Sequence, residues 1–271
     1  MLEASRRWRG DGRRIGLVPT MGALHAGHLS LVAEARRENE IVIASIFVNP
    51  IQFGAGEDFN RYPRDLDSDA DMLRRAGIDG IYRPSVEAMY PPGSSTRVHV
   101  SGVADPLEGT ARPGHFEGVA TVVTKLFGAV EPDRAYFGQK DAQQVAVVKR
   151  MTRDLDLGVE ICVCSTVREP DGLALSSRNA YLSPPERKAA VCLSSALRLA
   201  TEAYSRGERG PEQLRQVLRA RLDAEPLANV DYAEIVDPET FRSPGTLAVL
   251  AVRVGGTRLI DNHELTRPFP G

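Results

Sequence analysis

At 271 residues, with 42% apolar and 26% charged side chains, the chain has an ordinary globular composition and is long enough for one large domain plus a smaller one. A formal net charge of −2 supplies no basic field of the kind a phosphate backbone demands, so nucleic acid is not an expected partner. No apolar stretch approaches the roughly 20 residues of a membrane span and no signal-peptide core opens the chain, so a cytoplasmic protein with no membrane role, acting on small molecules, is expected.

The arginines around Trp8 (Arg6, Arg7, Arg9, Arg13 and Arg14) read as the solvated face of a first helix. Residues 15–19 then form a short apolar run, and residues 28–39 carry helical spacing through Leu29, Val32 and Ala35. Residues 41–48 are unbroken in their apolarity, which predicts a strand covered on both faces and therefore a parallel crossover. The alternation continues with predicted helices over 65–76, 118–130 and 141–155 and predicted strands over 78–82, 134–137 and 159–166. This is the rhythm of an α/β fold, a Rossmann-like doubly wound parallel sheet whose ligand belongs at the carboxyl ends of the strands.

After Thr166 the rhythm breaks. A polar loop leads to a predicted long helix from Ser183, with Pro184 in its first turn and Glu186 completing a capping box, and a second helix starts near Pro211. Strands are predicted over 230–236, 246–254 and 257–260, the last two joined by a Gly255–Gly256 hairpin turn. The expected organisation is a large domain over 1–166 and a smaller α+β lid domain over 167–271. Cys162, Cys164 and Cys192 form no CxxC or Cys/His cluster and are expected to be buried reduced thiols, so structural zinc is not expected.

The segment from Pro19 to His28, PTMGALHAGH, joins the first strand to the first crossover helix and contains an HxGH pattern. Gly22 permits a tight turn, Gly27 permits close approach of backbone to a phosphate, and the helix N-terminus favours anions. His25 and His28 are placed to donate to phosphate oxygens and to stabilise charge growing on a leaving pyrophosphate. A second segment, Phe137-Gly138-Gln139-Lys140-Asp141, again ends a strand. Lys140 is suited to a phosphate, and Asp141 either caps a helix or accepts from a ribose hydroxyl. A third, Leu175-Ser176-Ser177-Arg178, offers two hydroxyls and a guanidinium in a loop, suited to a polyphosphate that must later leave.

Asn49 and Gln52, after the buried strand, bind hydroxyl and carboxylate groups without adding charge, and Gln144 is a further amide one turn inside a helix. Asp67 and Asp69 begin another helix; there they either complement its dipole or hold Mg²⁺ through carboxylate oxygen.

These stretches, with SIFVNPIQF, YPR, RPGHFEGV, YFGQKDAQQ and DGLALSSRNAYL, resemble the pantothenate synthetase (pantoate–β-alanine ligase) family of the HxGH nucleotidyltransferase superfamily, in order and spacing, from about Ile15 to about Asn262. The resemblance implies ATP-dependent condensation of pantoate with β-alanine to pantothenate through an enzyme-bound pantoyl-adenylate, with Mg²⁺, releasing pyrophosphate and AMP. It also implies a cytoplasmic homodimer. His28 becomes the proton donor with His25 beside it, and Lys140 and Arg178 join them on the phosphates. Met21, Gly22, Ala23, Leu24, His25, Ala26, Gly27 and His28 form the first ATP segment. Gly138, Gln139, Lys140 and Asp141 form the second, and Leu175, Ser176, Ser177 and Arg178 the third, with Val167 near adenine. Gln52 and Gln144, with Asn49 nearby, hold pantoate, and Asp69 becomes the better Mg²⁺ candidate of the two aspartates.

Two departures stand out. The family's GEKD reads GQKD here, and members often begin with a strand before the first helix, whereas Met1-Leu2-Glu3 already lies in that helix, so a bare sheet edge is expected. Three rivals share part of the pattern: a plain HxGH nucleotidyltransferase, a class I aminoacyl-tRNA synthetase fragment, and an inactive nucleotide-binding relative. Uncharged Gln52 and Gln144 argue against a phosphate acceptor, the acidic balance against RNA, and the full set of chemical groups against lost activity.

Overall fold

A computed structural model describes residues Met1–Pro270. The chain divides into two units, residues 1–138 with 143–165 and residues 139–142 with 166 onward.

In the first unit, α1 (Leu2–Gly10) precedes β1 (Ile15–Thr20), α2 (Ala26–Glu38) and β2 (Ile41–Ile46). Then come α3 (Leu66–Arg75), β3 (Gly80–Tyr82), two single-turn helices α4 (Val86–Met89) and α5 (Glu108–Ala111), α6 (His115–Val130), β4 (Arg134–Gly138), α7 (Ala142–Asp154) and β5 (Glu160–Cys164). The five strands form a wholly parallel sheet in the order β3-β2-β1-β4-β5. All six residues of β2 are buried, as a strand covered on both faces requires. One face is sealed by Leu31, Val32 and Ala35 of α2 and Leu73 of α3 against Val18, Val42, Ala44 and Ile46. On the other, α1 and α6 lie against β1. Sequence order reverses between β1 and β4, the switch point at which doubly wound sheets open a crevice for ligands.

The second unit contains α8 (Pro184–Ala190), α9 (Cys192–Ser205) and α10 (Pro211–Asp223), then β6 (Ala228–Val236), β7 (Leu247–Val254) and β8 (Thr257–Glu264) in an antiparallel sheet ordered β6-β7-β8. Leu193, Leu197, Leu214, Leu218 and Leu222 pack on the inner face of that sheet through Ile235, Leu250 and Val252.

Several boundaries differ from the sequence reading. The single helix expected from Ser183 is two, α8 and α9, meeting at Val191. β8 runs four residues past its expected end at Ile260: Asp261 and Asn262 break the apolar pattern yet are buried, because each has polar partners inside the fold. The same partners explain why residues 139–142 group with the second unit, since Asn262 Nδ2 donates to the carbonyls of Gln139 and Lys140 at 3.0 and 2.9 Å. Cys162 and Cys164 are part-buried rather than buried, and all three cysteines are free thiols. Among the described residues no helix is long and apolar enough to cross a membrane.

Candidate active site

The HxGH segment leaves β1 through two successive residues in the left-handed region, Gly22 at φ 84° and Ala23 at φ 52°. The second costs roughly 1 kcal/mol or more for a residue with a Cβ, so the turn needs external support. It has two props. Thr20 Oγ1 accepts from Gly22 N at 3.2 Å while donating to Ser45 O at 2.6 Å. The carboxylate of Asp69, in the first turn of α3, accepts from Ala23 N at 2.9 Å and Leu24 N at 2.8 Å. A Cβ on Gly22 would stand 2.8 Å from Asp69 Oδ2, so glycine is required there by space as well as by φ.

The two histidines then cap α2 reciprocally. His25 is the N-cap, and its Nδ1 accepts from Gly27 N at 3.1 Å; His28 Nδ1 accepts from His25 N at 3.3 Å. The ring centroids lie 4.1 Å apart. An imidazole nitrogen that accepts carries no proton, so this hydrogen bonding assigns the N–H of each neutral ring to Nε2. The motif therefore makes a pair of Nε2–H donors beside a helix N-terminus, held by backbone on their other side.

Asn49 is 1% exposed, and its amide is spent inside the protein. Nδ2 donates to Gln52 Oε1 and to Gly118 O, both at 3.0 Å, and Oδ1 accepts from Tyr90 Oη at 2.7 Å. Burial, only partly offset by Arg97, pushes the Tyr90 phenol up to about 12, so it remains a donor. Asn49 therefore sets the orientation of the Gln52 amide. Gln52 Nε2 is left facing the thioether of Met21 at 3.1 Å, a weak acceptor that a substrate oxygen would outcompete. The Gln52 main chain is fixed from below, where its carbonyl accepts from His115 Nδ1 at 2.9 Å. Burial and the neighbouring Arg112 charge hold His115 down to about 4, neutral, so Nδ1 donates and Nε2 accepts from Arg112 Nη1 at 3.0 Å. Arg112 in turn makes a two-pronged pair with Glu57 at 2.7 Å on each prong. Burial raises the Glu57 carboxyl, but the bonds and charge of Arg112 outweigh it and leave it below its ordinary value. Gly118 is required here too, because a Cβ would lie 2.6 Å from Gln52 Cα.

Gln144 lies in the first turn of α7, part-buried, while its neighbour Gln143 is fully used, donating to Val103 O and Pro106 O and accepting from Glu108 N. Asp67 is exposed on α3. Gly138 ends β4. Among the described residues no three His, Cys, Asp or Glu side chains converge as a metal site.

In the second unit, Gln139, Lys140 and Asp141 form a 3-10 turn whose carbonyls are gripped by Asn262, and Lys140 Nζ lies 3.5 Å from Asp141 Oδ1. Asn262 is oriented by Asp261, whose carboxylate accepts its backbone N–H and pairs with Arg168 at 2.6 and 3.0 Å. Val167 O accepts from Leu175 N at 2.9 Å, tying the adenine candidate to the start of the Ser176–Arg178 segment. Ser176 caps a second 3-10 helix, Ser177–Tyr181, by accepting from Arg178 N at 3.2 Å. Sequence reasoning left Tyr90, Glu57, Arg112, Asp261 and Asn262 without roles. His115, Arg112 and Gly118 lay inside the RPGHFEGV stretch, the one signal that could have flagged them.

The chain is similar to proteins of one family. Residues 1–264 match the family model described as pantoate-beta-alanine ligase. The chain is 58% identical, over 92% of each protein, to the pantothenate synthetase of Roseiflexus sp. strain RS-1. It superposes with a TM-score of 0.90 on a pantothenate synthetase structure from Thermus thermophilus, at 51% identity and 93% coverage of both chains. The pantoate-beta-alanine ligase of Francisella tularensis, solved in complex with beta-gamma ATP and beta-alanine, is 34% identical with a TM-score of 0.81, covering 99% of this chain and 97% of that one.

Proposed function

The chain belongs to the pantoate–β-alanine ligase family, and from that premise we propose that it condenses pantoate with β-alanine at the expense of ATP, through a bound pantoyl-adenylate. The observation that carries this reading is the pair of imidazoles capped through Nδ1, which places the N–H of each ring on Nε2 as a fixed donor.

A pantoate carboxylate oxygen attacks the α-phosphorus of ATP. The bond from that phosphorus to its bridging oxygen breaks, and pyrophosphate leaves with new charge on that oxygen. His25 and His28 stabilise this charge as neutral hydrogen-bond donors already in place, a contribution of roughly 3 kcal/mol per donor. Lys140 and Arg178 add positive charge on the phosphates, Asp141 takes the ribose, and Val167 with Leu175–Ser177 takes the remaining nucleotide, as the family resemblance implies. Gln52, aimed by Asn49, binds the hydroxy acid together with Gln144 and fixes the carboxylate for attack. The neutral amine of β-alanine then attacks the acyl carbon, the carbon–oxygen bond to AMP breaks, and the nitrogen sheds its extra proton to solvent.

Mg²⁺ belongs to the same proposal as the charge partner of the ATP phosphates. Residues 67 and 69 do not fit as its holders: Asp67 is exposed and, among the described residues, no three His, Cys, Asp or Glu side chains converge on a metal position, while Asp69 is buried with both oxygens engaged by amides. The ion is therefore assigned to the incoming nucleotide. A cytoplasmic homodimer, with residues 167–271 acting as a lid, completes the reading and rests on family resemblance alone.

Product analysis by mass spectrometry tests the reading. ATP, pantoate and β-alanine should give pantothenate with one AMP and one pyrophosphate, whereas ADP with phosphate would mean an acyl-phosphate route.

A further inference from the structure

Asp69 has the contacts of an internal anion. Its carboxylate is 2% exposed and takes the backbone N–H groups of Ala23 and Leu24, the two donors that the left-handed turn at Gly22–Ala23 projects in succession. Successive N–H groups in such a turn make a concavity that binds anions. Here the protein fills it with its own carboxylate. The charge is balanced from its own side as well, because Asp69 lies in the first turn of α3, where the helix dipole favours a negative group.

We infer that Asp69 is a positioning residue for the proposed adenylation step: it locks the turn between β1 and α2, and thereby sets the direction in which the His25 and His28 Nε2–H groups point. The inference deepens the reaction proposed above and rests on it. Two consequences follow from the geometry. The amides of Ala23 and Leu24 are not offered to the nucleotide, so within the segment from Met21 to His28 its phosphates depend on the imidazoles and the start of α2. The carboxylate is also withheld from Mg²⁺, since a metal would have to compete with two short N–H bonds in a buried place.

Substitution by asparagine separates these roles, because an amide has one acceptor oxygen and would turn its NH₂ toward one of the two N–H groups. In Asp69→Asn, pantoate-dependent exchange of pyrophosphate into ATP should fall thirtyfold or more in kcat. The KM for pantoate and the Mg²⁺ concentration giving half-maximal rate should each stay within twofold of wild type. Asp69→Glu, which keeps charge and both oxygens but adds a methylene beside the turn, should be impaired at every Mg²⁺ concentration. A metal ligand would behave otherwise: half-saturation by Mg²⁺ would rise tenfold or more, and high Mg²⁺ would restore the rate.

A measurement on the unaltered protein needs no variant to fold. In nucleotide-free, Mg²⁺-free wild type, the amides of Ala23 and Leu24 should exchange with deuterium at least a hundredfold more slowly than unstructured chain, and Mg²⁺ alone should not change this. Unprotected amides, loss of protection on adding Mg²⁺, or wild-type kcat in a folded Asp69→Asn protein would overturn the inference. Wild type without any pantoate-dependent exchange would instead count against the proposed reaction, and the amide-protection result would still stand on its own.

Discussion

His28 does two jobs with one ring. Nδ1 accepts from the His25 amide and closes the start of α2, while Nε2 keeps the N–H that the proposed chemistry uses. Alanine at this position removes the donor and exposes the His25 amide to solvent at a helix end, where water can satisfy it. The structural loss is that of a helix cap, on the order of 1 kcal/mol, whereas the loss to the transition state is roughly 3 kcal/mol. His28→Ala should therefore fold, with a thermal midpoint within several degrees of wild type, and form pantothenate at least a hundredfold more slowly. Near-normal turnover in a folded variant would remove the role given to the motif. His25, His28 and Gly27 were legible because their partners lie within three residues of them. Asp69 was legible only as a choice between dipole complement and metal ligand, since the amides it holds are 46 and 45 residues upstream.

At the scale of elements, α6 is joined to the 3-10 turn at Pro50–Gln52 through a buried neutral imidazole. His115 has an ordinary value of 6.5 and is held down to about 4 by burial and by Arg112, with bonds or charges from Gln52, Glu108 and Glu57 acting in the opposite direction. Because the folded value lies below the unfolded one, the unfolded chain takes up the proton first as pH falls. The stability this group contributes is present above about pH 6.5 and is lost as pH falls through the window toward about 4. The slope approaches about 1.4 kcal/mol per pH unit within that window. Urea unfolding at pH 7 and pH 5 should show wild type losing stability and His115→Gln losing markedly less. Equal losses in the two proteins would place the acid sensitivity elsewhere. This joint was not readable from periodicity, because the residues it unites are 63 positions apart. The end of β8 was missed for a related reason, since apolar alternation reports burial against hydrocarbon and is blind to a strand whose polar residues are buried in pairs.

For the molecule as a whole, the parallel sheet was legible because its strands are continuous apolar runs separated by helical periods, and β2, buried throughout, is the plainest case. The antiparallel sheet followed from the Gly255–Gly256 turn between β7 and β8. The assignment of residues 139–142 to the second unit did not follow, because one asparagine more than a hundred residues downstream decides it. The central claim concerns chemistry: pantoate alone is activated, and the adenylate waits for the amine. Exchange of labelled pyrophosphate into ATP, measured with pantoate present and β-alanine absent, tests this most directly. The account predicts rapid exchange that needs pantoate, little accumulation of AMP, and release of AMP with pantothenate once β-alanine is added. Exchange that strictly requires β-alanine, or pantothenate formed with ADP and no exchange, would contradict it.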